Sequence, residues 1–276
     1  MAHPRLEIEN ISVGYGRRRV IADLSLPAIE GGGVTALIGP NAAGKTTLLR
    51  ALAGLVPARG TIRLDGEELN GLSVTAHASR VAYMPQALPQ RVALTVLEAT
   101  LSALMSSGGT ASHLATARVH ALNTLERLGI SDLAMRGLDE LSGGQRQLAS
   151  LAQSIVREPR VLLLDEPTSA LDIHHQLRVM RFVRELAQER GIIVIIVLHD
   201  IAQAARYAHR IVVLKQGTVA ADGPPEAAIT PAMLAEVYKV EARVERCSHG
   251  FLQIMVDGAL DAAPAAQALS VAPPST

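Results

Sequence analysis

The sequence predicts an α/β chain built around a mainly parallel central sheet. Three observations predict it. Val34 to Ile38, Val161 to Leu164 and Ile192 to Leu198 are compact aliphatic runs of strand length, the kind that bury both faces. A helical pattern follows each of them, so strand and helix alternate along the chain. Hydrophobic residues make up 49% of the 276 positions and charged residues 19%, which is ample material for a core and argues against disorder.

The elements follow in order. Leu6 and Ile8, then Ile11 and Val13 after a break, read as strand and lead to the turn signal Gly14-Tyr15-Gly16. Val20 to Leu26 is a second short strand. Together with Thr61 to Leu64, which ends at the hairpin signal Asp65-Gly66, these predict an N-terminal antiparallel β subdomain. Thr46 to Leu55 reads as helix. Between Pro85 and Ala117 the only acidic or basic residues are Arg91 and Glu98, and Leu94, Leu97, Leu101 and Leu104 fall at helical spacing. Gly108-Gly109 breaks this stretch, and a second helical run covers about 111–128 and stops at Gly129. Residues 87–145 are therefore expected to form an inserted α-helical subdomain. His174 to Glu189 reads as a helix with Leu177, Met180, Val183, Leu186 and Ala187 inward, and about 201–207 as another. Ile211 to Leu214 and Val219 to Ala221 flank Gly217 as a hairpin. Residues 226–258 are expected to be a C-terminal extension with a hairpin, Val240 to Cys247 and Leu252 to Val256. Residues 259–276, rich in Ala and Pro, are expected to be a disordered tail.

Composition excludes some functions. With 26 basic and 26 acidic side chains the net charge is zero, which weighs against coating a polyanion. The single cysteine, Cys247, excludes an internal disulfide and a CxxC metal or redox site. The opening Met1-Ala2-His3-Pro4-Arg5 runs into strand-like Leu6-Glu7-Ile8 and not into the apolar stretch of a signal peptide. No run approaches the roughly 20 apolar residues of a transmembrane helix, so any crossing of a membrane falls to another chain.

Gly39-Pro40-Asn41-Ala42-Ala43-Gly44-Lys45-Thr46 fits G-x-x-x-x-G-K-[ST], between an apolar strand and a helix. Backbone N–H groups of such a loop converge into an anion cradle, and the helix that starts there turns its positive end to the same point. Lys45 adds a point charge for β- and γ-phosphates. Thr46 offers a hydroxyl to Mg²⁺, and Thr47 follows it into the helix. Val161 to Leu164 ends in Asp165-Glu166. A buried parallel strand delivers such acids to the carboxyl edge of the sheet, where ligands bind. Asp165 suits the metal environment and Glu166 suits polarising a water. The fold expected is thus a P-loop NTPase (RecA-like) core.

Leu141-Ser142-Gly143-Gly144-Gln145 matches the LSGGQ signature of ABC transporter ATPases without a substitution, and the chain resembles that family over about residues 5–225. Physically, Ser142 and the N–H groups of a helix start make a second anion site. The other motifs stand in family order. Tyr15 resembles the aromatic that stacks on adenine. Gln86 resembles the Q-loop glutamine that touches Mg²⁺ and the attacking water. Ser169-Ala170-Leu171-Asp172 resembles the D-loop, and His199 the switch histidine at the γ-phosphate. One departure is Ala42, where many members have Gly. If that position needs φ > 0, alanine costs on the order of 1 kcal/mol.

The resemblance implies ATP and Mg²⁺ as cofactors and a head-to-tail dimer of two copies, each ATP held by the phosphate loop of one and the signature of the other. It implies that Glu166 is general base, with Lys45, Mg²⁺ and His199 stabilising charge. It implies that permease subunits in the membrane and an extracytoplasmic substrate-binding protein complete the system, with this chain peripheral on the cytoplasmic face. Asp172-Ile173-His174-His175-Gln176 and Val237 to Val244 resemble importers for ferric siderophores, haem and cobalamin, ranked in that order. His174 and His175 are adjacent on a helix, about 100° apart, and do not make a shared metal site. Two other classes compete. A soluble ABC ATPase acting on ribosomes or nucleic acid usually has tandem domains or a coiled coil, and neither is found here. A regulatory module without turnover conflicts with Glu166 and His199.

Overall fold

The structure is a computed structural model, and it describes residues 3–16, 18–86, 93–106 and 114–260. Its centre is a six-stranded sheet. In chain order the strands are β3 (Val34–Ile38), β6 (Val81–Met84), β7 (Val161–Asp165), β8 (Ile193–Val197), β9 (Arg210–Lys215) and β10 (Thr218–Gly223). Their spatial order is β10-β9-β3-β8-β7-β6, with all neighbours parallel except the β9–β10 hairpin. The aliphatic runs of β3, β7 and β8 are buried at every position, as strands covered on both faces must be.

The two faces pack different partners. Leu37, Leu163, Ile195 and Val212 pack with α1 (Lys45–Leu52) and with a four-stranded antiparallel sheet. That sheet runs β2 (Arg18–Glu30), β1 (Arg5–Tyr15), β4 (Arg59–Leu64), β5 (Glu67–Glu68). Ile38, Leu164, Ile196 and Val213, on the other face, pack with α5 (Gly143–Ile155), α6 (Ile173–Arg190) and α7 (Ile201–Tyr207). The short α2 (Val74–Ala78) precedes β6, and between β6 and α5 come α3 (Val96–Ser106) and α4 (Leu114–Leu128), the expected helical insert. The chain closes with a hairpin of β11 (Val240–Arg246) and β12 (Leu252–Ala259).

Several expectations shift. The break before Ile11 is a bulge and not a strand end: Asn10 sits at φ 53 and the β1–β2 register slips between Ile8 and Ile11. β2 extends well beyond 20–26. α1 stops at Leu52, three residues early. Gly54 at φ 68 closes it in a Schellman turn, with Leu55 N–H donating to Arg50 O and Gly54 N–H to Ala51 O. Leu94 precedes α3 and so is no part of its face. Leu177 is half-exposed because it lies about 120° round α6 from Val183; Val179 and Phe182 take the inner positions instead. β12 runs to Ala259 and not Val256. The glycine pair 108–109, the start of the second helical run at 111–113 and the tail 261–276 lie outside the described residues. Among the described residues no helix is long and apolar enough to cross a membrane.

Candidate active site

The parallel register gathers the site. β3, β6, β7 and β8 point the same way, so the residues just past their ends emerge at one edge: Gly39 after β3, Gln86 two residues past β6, Glu166 after β7, His199 two past β8. The phosphate loop bends there. Gly39 takes φ 145 and backs so closely on the Leu214 carbonyl that no Cβ would fit. Gly44 takes φ 104 and caps α1 without any side-chain bond, which leaves the first N–H groups of the helix for an anion. Ala42 does sit at φ 62, so the expected strain is present.

A cleft of about 420 Å³ opens over the loop. Tyr15, Asn41, Ala42, Ala43, Gly44, Lys45, Thr46, Thr47, Glu166 and His199 all line it, joined by Arg18 and Val20. Gly39 and Pro40 lie behind it and present their carbonyls to Lys45 Nζ, at 2.7 and 2.9 Å. Lys45 is buried. Burial pulls its pKa down, against the pull of Glu166 and Asp165 upward.

Thr46 Oγ1 donates to Asp165 Oδ1 at 3.1 Å, and Tyr83 Oη donates to Asp165 Oδ2 at 3.0 Å. Asp165 is fully buried, and desolvation raises its pKa despite both bonds. Burial likewise pushes the Tyr83 phenol up to about 12. Glu166 uses both carboxylate oxygens. Gln86 Nε2 donates to Oε2 at 2.6 Å, and His199 Nε2 meets Oε1. Glu166 itself stands at φ 53, a left-handed conformation that a residue with a Cβ adopts at a cost. Strained backbone beside a carboxylate, an ammonium and an N–H cradle is an arrangement that can hold a polyphosphate and activate a water against it.

The signature residues stand elsewhere. Ser142 caps α5, its Oγ accepting Gln145 N–H at 3.3 Å while Gln145 Oε1 accepts Ser142 N–H at 3.0 Å. Gly143 and Gly144 come next, and none of these four lines the cleft. Asp172 caps α6: its Oδ1 accepts His175 N–H and meets His175 Nδ1, each at 2.8 Å, and it too is outside the cleft. His174 and His175 have their rings edge to face at 87°, which does not make a chelating pair.

Besides Arg18 and Val20, two residues with site contacts have no role that the sequence alone assigns. Tyr83 reaches Asp165 because β6 pairs with β7, a register no local pattern reveals. Gln147 donates to the Glu166 carbonyl at 2.7 Å. Its signal is a polar residue on the inward face of an amphipathic helix.

Known proteins resemble this chain closely. The family described as ABC transporter matches residues 10–169. The iron(3+)-hydroxamate import ATP-binding protein of Bacillus subtilis is 33% identical, covering 87% of this chain and 89% of its own. The ferric enterobactin transport ATP-binding protein of Escherichia coli is 35% identical over 87% and 89%. The hemin import ATP-binding protein of Bordetella avium is 37% identical over 87% and 94%. Among solved structures, the dimeric bacterial ABC transporter cassette MJ0796 superimposes with a TM-score of 0.74 at 26% identity, covering 80% of this chain and 98% of that one.

Proposed function

The chain belongs to the ABC transporter family, and on that premise we propose that it is the ATP-hydrolysing subunit of a membrane importer for iron complexes, ferric siderophores first. One observation supports turnover above the rest. Glu166 is held between Gln86 and His199 at the mouth of the phosphate cleft. Within that site Glu166 takes the proton of the attacking water, and Gln86 and His199 orient its carboxylate. The N–H groups at the start of α1 and the Lys45 ammonium hold the phosphates. Tyr15, half-exposed at the rim, gives adenine a stacking face.

Mg²⁺ fits the hard oxygen pair of Thr46 Oγ1 and Asp165, 3.1 Å apart. Bound there, it would neutralise charge on the β- and γ-phosphates.

Ser142 to Gln145 lie outside their own chain's cleft, which supports a head-to-tail dimer in which each signature turn completes the partner's site. Asp172 belongs to the same dimer face in this reading. Permease subunits are the second partner. A groove of about 1070 Å³ bounded by Leu55, Leu72, Val74 and Pro85 offers them an apolar seat one residue from Gln86. A substrate-binding protein outside the membrane completes the system, with this chain at the cytoplasmic face. Haem is the second reading, favoured by the 37% identity to a hemin import protein.

Uptake of labelled ferric siderophore and of haem, in cells lacking this chain, tests the proposal. Native chain should restore one of the two and Glu166→Gln neither. Restoration of neither by native chain would overturn the iron-complex reading.

A further inference from the structure

Gln147 is buried in the second turn of α5, yet its amide is used three times. Nε2 donates to the Glu166 carbonyl at 2.7 Å and to Ser169 Oγ at 3.2 Å. Oε1 accepts Ala170 N–H at 3.0 Å. Ser169 Oγ in turn donates to the same Glu166 carbonyl at 3.1 Å. The amide orientation is determined: turned over, its oxygen would face the Glu166 oxygen and its NH₂ would face an N–H. The bonds therefore fix the carbonyl of the one site residue whose side chain must act from a left-handed backbone, φ 53.

The same helix begins with the signature turn. Gly144 presses on the segment just after Glu166, since a Cβ there would lie 3.0 Å from Ala170 O and 3.1 Å from Leu171 Cδ2. Ser142 to Gln147 and Glu166 to Leu171 thus form one packed unit, with Gln147 as its polar tie. In this chain less than two helical turns and one side chain separate the signature turn from the backbone carbonyl of Glu166.

We propose that Gln147 is a positioning residue that sets the Glu166 backbone and transmits occupancy of the signature turn to it. The proposal rests on the dimer reading, in which the signature turn holds the partner's nucleotide. Gln147 then makes each catalytic glutamate responsive to the opposite ATP.

The test uses the native chain with its permease partners. Gln147→Met keeps the side-chain length and removes all three bonds. Gln147→Glu keeps the acceptor for Ala170 N–H but sets a carboxylate against the Glu166 carbonyl. Both should lower kcat about tenfold or more, leave KM for ATP within about twofold, and bring the Hill coefficient for ATP towards 1. A merely structural role would lower melting temperature without moving the Hill coefficient. Native turnover with kcat and Hill coefficient unchanged in Gln147→Met overturns the proposal. Native chain without turnover overturns the ATPase reading instead. Should neither variant fold, amide hydrogen exchange on the native chain decides: Ala170 N–H protected, and more so with ATP, supports the tie, and fast exchange at Ala170 overturns it.

Discussion

The phosphate loop and the signature turn are both glycine turns that open a helix, yet they are built in opposite ways. The phosphate loop opens α1 with no side-chain cap and concentrates charge around it: Lys45 is buried, and Asp165 and Glu166 lie within its electrostatic reach. It holds three backbones at positive φ, Gly39, Ala42 and Gly44, of which only Ala42 carries a Cβ and so a strain. The signature turn opens α5 with a complete capping box between Ser142 and Gln145. The first is an unfinished helix end that wants an anion. The second is already closed by its own side chains. In the proposed head-to-tail dimer, that contrast would place the chemistry in one chain and its trigger in another.

Five substitutions sharpen or break that contrast. Glu166→Gln has the largest expected effect. It should reduce kcat by about 10²–10⁴-fold while leaving ATP binding intact, as single-turnover assays would read. Lys45→Ala should weaken ATP binding by about 10–100-fold, the loss of a charge-assisted bond, in a fluorescent nucleotide titration. Ser142→Ala should leave the affinity of the separate chain unchanged, lower dimer-dependent turnover, and cost about 1 kcal/mol of stability through the lost cap. Lost affinity in the separate chain would break the contrast.

Asp165→Asn should go the other way in stability. Burial raises the Asp165 pKa, so the ionised form destabilises the nucleotide-free fold at neutral pH, a penalty that fades as pH falls towards the ordinary carboxylate range. The amide removes the penalty. Melting temperature without nucleotide should rise at pH 7 and not at low pH, while turnover collapses. Ala42→Gly should be the smallest. Relief at φ 62 and the entropy of an added glycine nearly cancel, leaving stability within about 0.5 kcal/mol by denaturant unfolding.

How much is legible in the sequence depends on how local each contact is. The phosphate loop is a strand, a turn and a helix contiguous in the chain, so Gly39 to Thr46 announce it completely. The acids at 165–166 are legible because a buried strand ends there. Tyr83 on Asp165 is not, because it depends on which residue of β6 lies beside β7. Nor is the Gln147 tie, which needs α5 packed against a loop 19 residues onward. Helix ends are misplaced where a backbone cap decides them, as at Gly54, and Leu177 is misassigned because its neighbours fill the inward stripe of α6 more fully. Asp172 is assigned to nucleotide by motif order alone, and in its own chain it is a helix cap.

The central claim is that phosphate loop and signature turn meet between chains, and a disulfide tests it most directly. Asn41→Cys and Gly143→Cys, placed in one chain with Cys247→Ser and Glu166→Gln, set one thiol in each turn. With ATP and mild oxidant this account predicts a covalent two-chain product, absent without nucleotide. A bond that closes within a single chain, or no ATP-dependent product at all, would contradict it.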